Sequence, residues 1–162
     1  MLAEAHGRKG DYATALTFVN LLRNRAAYKT NEARSPQIWQ YLGGSNVLSN
    51  TSASNLATAA LFTTNAPSEF YPPSANTDAS RFIHFMLNER TRELCGEFYR
   101  WEDLVRTETL FERARLFNPD ITPSFAAFHK LRPIPLIQML TQTVNGKPMS
   151  VADMAAYQNP GY

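Results

Sequence analysis

Cysteine is nearly missing from this sequence of 162 residues: the single one, Cys95, excludes an intrachain disulfide and every cysteine-rich zinc site. An excess of one sign of charge is missing too. With 16 Lys and Arg against 14 Asp and Glu the net charge is +2, far from the basic footprint of a protein held by phosphate neutralisation, so no nucleic acid partner is expected. Charged residues are only 19% of the chain, too few for a coiled coil. No run approaches the roughly 18 to 20 apolar residues of a membrane span. Residues 1–11 carry charges on both sides of a very short apolar patch, so neither a transmembrane helix nor a signal peptide is read here. What is present is apolar material, 44% hydrophobic and 12% aromatic, which is too much for a disordered chain. The reading is a water-soluble globular chain of one-domain size, long enough to bury a core.

The histidines His6, His84 and His129 form no partner pattern with Cys95. A nucleophilic cysteine needs an electropositive, partly exposed setting, so Cys95 is expected to be a small buried thiol. The context Arg92-Glu93-Leu94-Cys95 also lacks the apolar run that precedes a lipidated cysteine.

Periodicity predicts an all-α, loop-rich chain. A first helix over residues 1–7 stops at Gly7, and Asp11 caps a second whose apolar residues Tyr12, Ala15, Leu16, Val19 and Leu22 keep helical spacing to about Ala27. This hairpin resembles one tetratricopeptide unit, in which small residues let two helices approach closely. A single unit cannot bury its own apolar face, so it must pack on something else in the chain or on missing sequence. Residues 28–78 form a long insert rich in Ser, Thr, Asn, Pro and Gly, with isolated aromatics at Trp39, Tyr41, Phe62, Phe70 and Tyr71 and a short helix within 55–63. Asp78 or Ser80 caps a strong helix carrying Phe82, Ile83, Met86, Leu87 and Leu94, ending near Cys95 and Gly96. Helices over 99–107 and 109–117 follow. A proline-punctuated, mostly extended tail then holds helical turns at 136–142 and at 151–157, the latter capped by Ser150. The domain reading is therefore 1–27 hairpin, 28–78 insert and 79–162 irregular helical region.

Four segments carry a more specific signal by their order and spacing. They are Glu89-Arg90-Thr91-Arg92-Glu93-Leu94, Arg100-Trp101-Glu102-Asp103-Leu104-Val105-Arg106, Arg132-Pro133-Ile134-Pro135 and Gln158-Asn159-Pro160-Gly161-Tyr162. They resemble the C-terminal part of the RagB/SusD family of outer-membrane nutrient-binding lipoproteins, with its E-R-x-R-E-L helix, R-[WYF]-x-D-L-x-R helix, L-x-P-I-P segment and Q-N-P-G-Y end. The resemblance covers residues 82–162 closely. The hairpin is similar to that family's last tetratricopeptide-like unit, ending in a pattern like N-x-x-R-x-R-A at residues 20–26. The insert matches no pattern we can name.

The resemblance implies a SusD-like fold. It implies a surface-exposed subunit of polysaccharide utilisation, starch binding included, that captures glycans or sometimes peptides. Captured ligand would pass to a SusC-like TonB-dependent outer-membrane transporter. It also implies that this chain is a fragment, the lipidated anchor belonging to an N-terminal part not present in it.

The motif residues themselves read as structure. Glu89 and Glu93 lie four apart on one helix face and are expected to pair with Arg100 or Arg106, with Asp103 a further partner. A glycoside hydrolase would use Glu89 and Glu93 as acid and base, but the surrounding arginines hold both ionised, whereas an acid catalyst needs a raised pKa. No enzyme is expected. Trp101 is read as a packing aromatic rather than a sugar platform. Sugar binding needs exposed flat rings flanked by hydrogen-bonding side chains, and the insert has that composition: Trp39 and Tyr41 beside Gln37, Gln40 and Asn46, and Phe70 and Tyr71 near Glu69 and Asn76. The competing reading, of equal weight, is that these rings pin the insert to the body. No cofactor is expected; Asp and Asn oxygens could hold calcium without leaving a recognisable spacing. The alternative function is a tetratricopeptide-like scaffold that takes a protein segment in a helical groove.

Overall fold

The computed structural model of the protein describes residues 1–27, 56–121 and 123–162, which are mostly helical and divide into two compact units, Met1–Phe98 and Tyr99–Tyr162. The helix read as opening the C-terminal region belongs to the first unit, with the hairpin.

In the first unit α1 (Leu2–Arg8) and α2 (Tyr12–Ala26) form the hairpin. The Asp11 carboxylate caps α2 by accepting from the Thr14 backbone N–H at 3.2 Å. Gly7 does not end α1 as its composition suggested. It lies inside the helix and is buried, and a Cβ there would fall 2.0 Å from the Phe82 ring. The glycine is there for close packing, and the chain turns two residues later. α3 (Ala60–Thr63) is the described part of the short helix read at 55–63, and a 3₁₀ turn follows at Pro67–Glu69. α4 (Asp78–Glu93) begins at Asp78, a residue read as a possible cap. Neither Asp78 nor Ser80 is its cap: Thr77 is, its hydroxyl accepting from the Ser80 N–H while the Ser80 hydroxyl accepts from the Thr77 N–H.

The first core is aromatic. Tyr12 from α2, Phe62 from α3, and Phe82 and Phe85 from α4 meet with ring centroids 4.9 to 6.2 Å apart, Phe62 standing edge-on to Phe82 at 84°. Phe62 is 0% exposed. The hairpin thus covers the Tyr12, Ala15 and Val19 part of its apolar face with α4 and with a ring supplied by the insert. Asn20 of α2 fastens the same stretch, donating to the Ala57 carbonyl at 3.0 Å and accepting from the Ala57 N–H at 2.7 Å.

The second unit holds α5 (Arg100–Arg106), α6 (Leu110–Phe117), a 3₁₀ turn (Ala127–Lys130), α7 (Leu136–Leu140) and α8 (Val151–Tyr157). Ser150 caps α8 as its sequence predicted, its hydroxyl accepting from the Asp153 N–H at 3.2 Å. The all-α expectation holds with one small departure. β1 (Thr143–Val144) and β2 (Lys147–Pro148) pair antiparallel, Thr143 opposite Pro148 and Val144 opposite Lys147. Their link is Asn145-Gly146 with φ of 52° and 74°, the two positive values that a type I′ hairpin turn demands and that Asn-Gly supplies at least cost. Phe111, Phe125, His129 and Phe128 stack in series at 5.9, 5.3 and 4.2 Å, and Tyr162 closes the row edge-on.

Candidate functional site

The charged motif of α4 faces α2. Arg23 grips Glu89 as a fork, its Nη2 on Oε1 at 2.6 Å and its Nε on Oε2 at 3.1 Å, and its guanidinium also lies 5.9 Å above the Phe85 ring. Arg25, two residues on, donates to Glu93. Arg92 closes the network, donating to Glu89 and reaching Glu69 at 3.4 Å. Glu69 is 4% exposed and also accepts from the Asn88 amide at 2.9 Å. Burial alone would raise the Glu89 pKa. The hydrogen bonds from Arg23 and then Arg92 outweigh it and hold the carboxyl below the usual glutamate range. A general acid needs the opposite.

These described partners of Glu89 and Glu93 come from α2 and from α4 itself, where the sequence pointed to Arg100 and Arg106. The long side chains of Arg23 and Arg25 reach across from α2 to Glu89 and Glu93. In the second unit Arg106 pairs with Asp103 at 2.9 Å along one turn of α5. Arg100 is half-buried: burial lowers its pKa and the charge of Asp103 partly offsets this. Trp101 is also half-buried, with the Arg132 guanidinium 5.5 Å over its ring.

A groove of about 780 Å³ opens between the hairpin and α4, within the range of small-ligand pockets. One wall is apolar, with Leu21 62% and Leu22 44% exposed, and the other is the paired row of Glu69, Glu89 and Arg92.

Two of the rings named for sugar contact, Trp39 and Tyr41, lie outside the described residues. The other two have different settings. Phe70 is 72% exposed, and its backbone sits in the left-handed region at φ 49°. Tyr71 packs half-buried against the aromatic core and donates its hydroxyl to the Leu61 carbonyl at 2.6 Å. Burial and then the Glu69 charge push its phenol pKa upward. Cys95 is exposed and not buried, because α4 ends at Glu93 and the thiol falls in the loop beyond. Among the described residues no group of three or more His, Cys, Asp or Glu is placed to hold a metal ion, and no helix is long and apolar enough to cross a membrane.

A family model described as SusD family matches residues 1–162. The chain belongs to the SusD family. Membership supports a glycan-binding, nutrient-uptake role in general terms. The match runs through the insert, for which sequence reading found no pattern. No curated protein and no solved structure matches the chain.

Within this SusD family chain, the N-x-x-R-x-R-A pattern at residues 20–26 holds Asn20, Arg23 and Arg25, whose contacts to Ala57, Glu89 and Glu93 the pattern alone does not announce. Glu69 had no signal in the sequence, since its burial depends on Asn88 and Arg92 nineteen and twenty-three residues away.

Proposed function

We propose that this chain is part of a cell-surface subunit that captures oligosaccharides, or peptides, and delivers them to a SusC-like TonB-dependent transporter in the outer membrane. The observation that carries the reading is the SusD family match along residues 1–162. The insert supplies the contacts in this reading. Trp39 and Tyr41 stack on pyranose faces, Phe70 offers an exposed ring later in the same insert, and Tyr71 ranks behind because its hydroxyl is engaged. The charged helices α4 and α5 serve the fold, because Glu89, Glu93 and Asp103 are already paired. The role is binding without catalysis and without a cofactor.

The test is calorimetric titration of Trp39→Ala and Tyr41→Ala chains against a panel of neutral oligosaccharides. Loss of one stacked ring should cost about 1 to 2 kcal/mol, close to tenfold in affinity. Unchanged affinity in both, with the helical spectrum intact, would remove the insert as the site. A second reading, a tetratricopeptide-like scaffold for an amphipathic helix, is favoured by the exposed leucines of the groove. It predicts that Leu22→Glu abolishes peptide binding and leaves sugar titrations unchanged.

A further inference from the structure

Residues 133–135 are Pro-Ile-Pro, so between Arg132 and Leu136 the backbone has one N–H, that of Ile134. A segment of this kind can join a strand ladder only through Ile134, since proline has no donor to give. Its lone donor must still be satisfied. The Gln158 side chain does this, accepting from the Ile134 N–H at 2.7 Å and donating back to the Ile134 carbonyl at 3.1 Å. One carboxamide thus does for Ile134 what a neighbouring strand would do. Two more bonds run the same way: Asn159 Nδ2 donates to the Arg132 carbonyl at 2.6 Å, and the Tyr162 hydroxyl donates to the Leu131 carbonyl at 2.8 Å. Between them Gly161, at φ 96°, lies flat on Phe128, where any Cβ would come within 2.5 Å of the ring. The Tyr162 ring then stands edge-on to Phe128 at 5.3 Å and to His129 at 5.7 Å.

We propose that residues 158–162 are a strap that holds residues 131–135 in place and opens as a unit while α5 and α6 stay folded. Three features favour local opening. The strap side chains carry no charge. The Asn159 and Tyr162 bonds lie on exposed surface. The side-chain hydrogen bonds of the strap that hold it down go to one short segment, and its one tie to a helix is the Gln158 N–H on the Met154 carbonyl at the very end of α8. When the strap lifts, Ile134 loses its acceptor and nothing in the Pro-Ile-Pro backbone can replace it. The bond between Lys130 and Leu131 is then open to a protease, whereas the bond after Arg132 is protected by the proline that follows.

The experiment is hydrogen–deuterium exchange with limited trypsin digestion on the full chain, comparing Gln158→Ala, Tyr162→Phe and a chain lacking residues 158–162 with the natural sequence. Ile134 is isolated by its flanking prolines, so a short peptide reports its amide alone. The expected result is exchange at Ile134 faster by about tenfold in Gln158→Ala, less in Tyr162→Phe, and a trypsin cut after Lys130 in the shortened chain. The amides of Arg100–Arg106 should keep their rates. Unchanged exchange at Ile134 in Gln158→Ala would overturn the strap. So would equal acceleration in α5, which would make these residues an inseparable part of the unit's global fold.

Discussion

Glu89→Gln tests the bracket between α2 and α4 most directly. The substitution keeps the shape of the side chain and removes its charge. Arg23 then loses a two-point carboxylate contact at 2.6 and 3.1 Å, in a site where the two side chains are only 16% and 13% exposed. Breaking a fully buried pair costs roughly 3 to 5 kcal/mol because a desolvated charge is left behind, while exposed pairs contribute about 1 kcal/mol or less. This pair is mostly buried, and the amide oxygen can still accept one bond, so the expected loss is about 2 kcal/mol. For a chain of this length that lowers the melting temperature by roughly 4 to 8 °C at neutral pH.

The same carboxyl sets a pH dependence. Its folded pKa lies below the unfolded one, because Arg23 and Arg92 outweigh burial. The unfolded state therefore binds the extra proton first as pH falls, and the stabilisation is complete above the ordinary glutamate range and lost below it. Thermal unfolding followed by circular dichroism should separate the natural chain from Glu89→Gln at pH 7 and bring the two together toward pH 3. A difference that is absent at pH 7, or that stays constant down to pH 3, would refute the ion-pair account.

Other outcomes follow from single contacts. Gly7→Ala places a Cβ 2.0 Å from the Phe82 ring and should cost about 1 to 3 kcal/mol in urea unfolding, although alanine is the better helix former. Phe62→Ala empties the middle of the aromatic core and should cost about 3 to 5 kcal/mol, near the whole stability of a small unit. Asn20→Ala leaves both polar groups of Ala57 unpaired and should cost about 1 to 3 kcal/mol, seen as faster amide exchange at Ala57. Cys95 should react fully with iodoacetamide in the native protein, and protection until unfolding would contradict its exposure.

Helix existence was legible wherever one face repeats at 3.6 residues, as in Tyr12–Ala26 and Asp78–Glu93, because periodic burial leaves its mark on every turn. Ends were less legible. Thr77, Asp78 and Ser80 are all cap formers, and only the reciprocal bonds distinguish the true one. Gly7 was misread because a glycine near a turn has two uses, freeing the backbone or admitting a ring, and the ring comes from residue 82. Asn145-Gly146 was a local hairpin signal lost among the prolines around it. The ion pairs of the candidate site were only half legible: two glutamates four apart announce partners, but which arginines answer depends on a long-range helix pairing that one sequence does not display.

That long-range pairing bears on where binding can reside. The α4 row from Glu69 through Arg92 and Glu89 to Arg23 satisfies its charges internally, so a sugar hydroxyl arriving there would have to compete with charge-assisted bonds. Neutral hydrogen-bonding groups are cheaper to recruit, and an exposed ring such as Phe70 needs no rearrangement to meet an apolar pyranose face. Division of labour between paired charges that hold helices and neutral side chains with rings that meet ligand is therefore the arrangement with the smaller reorganisation cost. It predicts that Phe70→Ala weakens oligosaccharide binding without lowering the melting temperature, while Tyr71→Phe, which removes the hydroxyl bonded to Leu61, lowers the melting temperature more than it weakens binding.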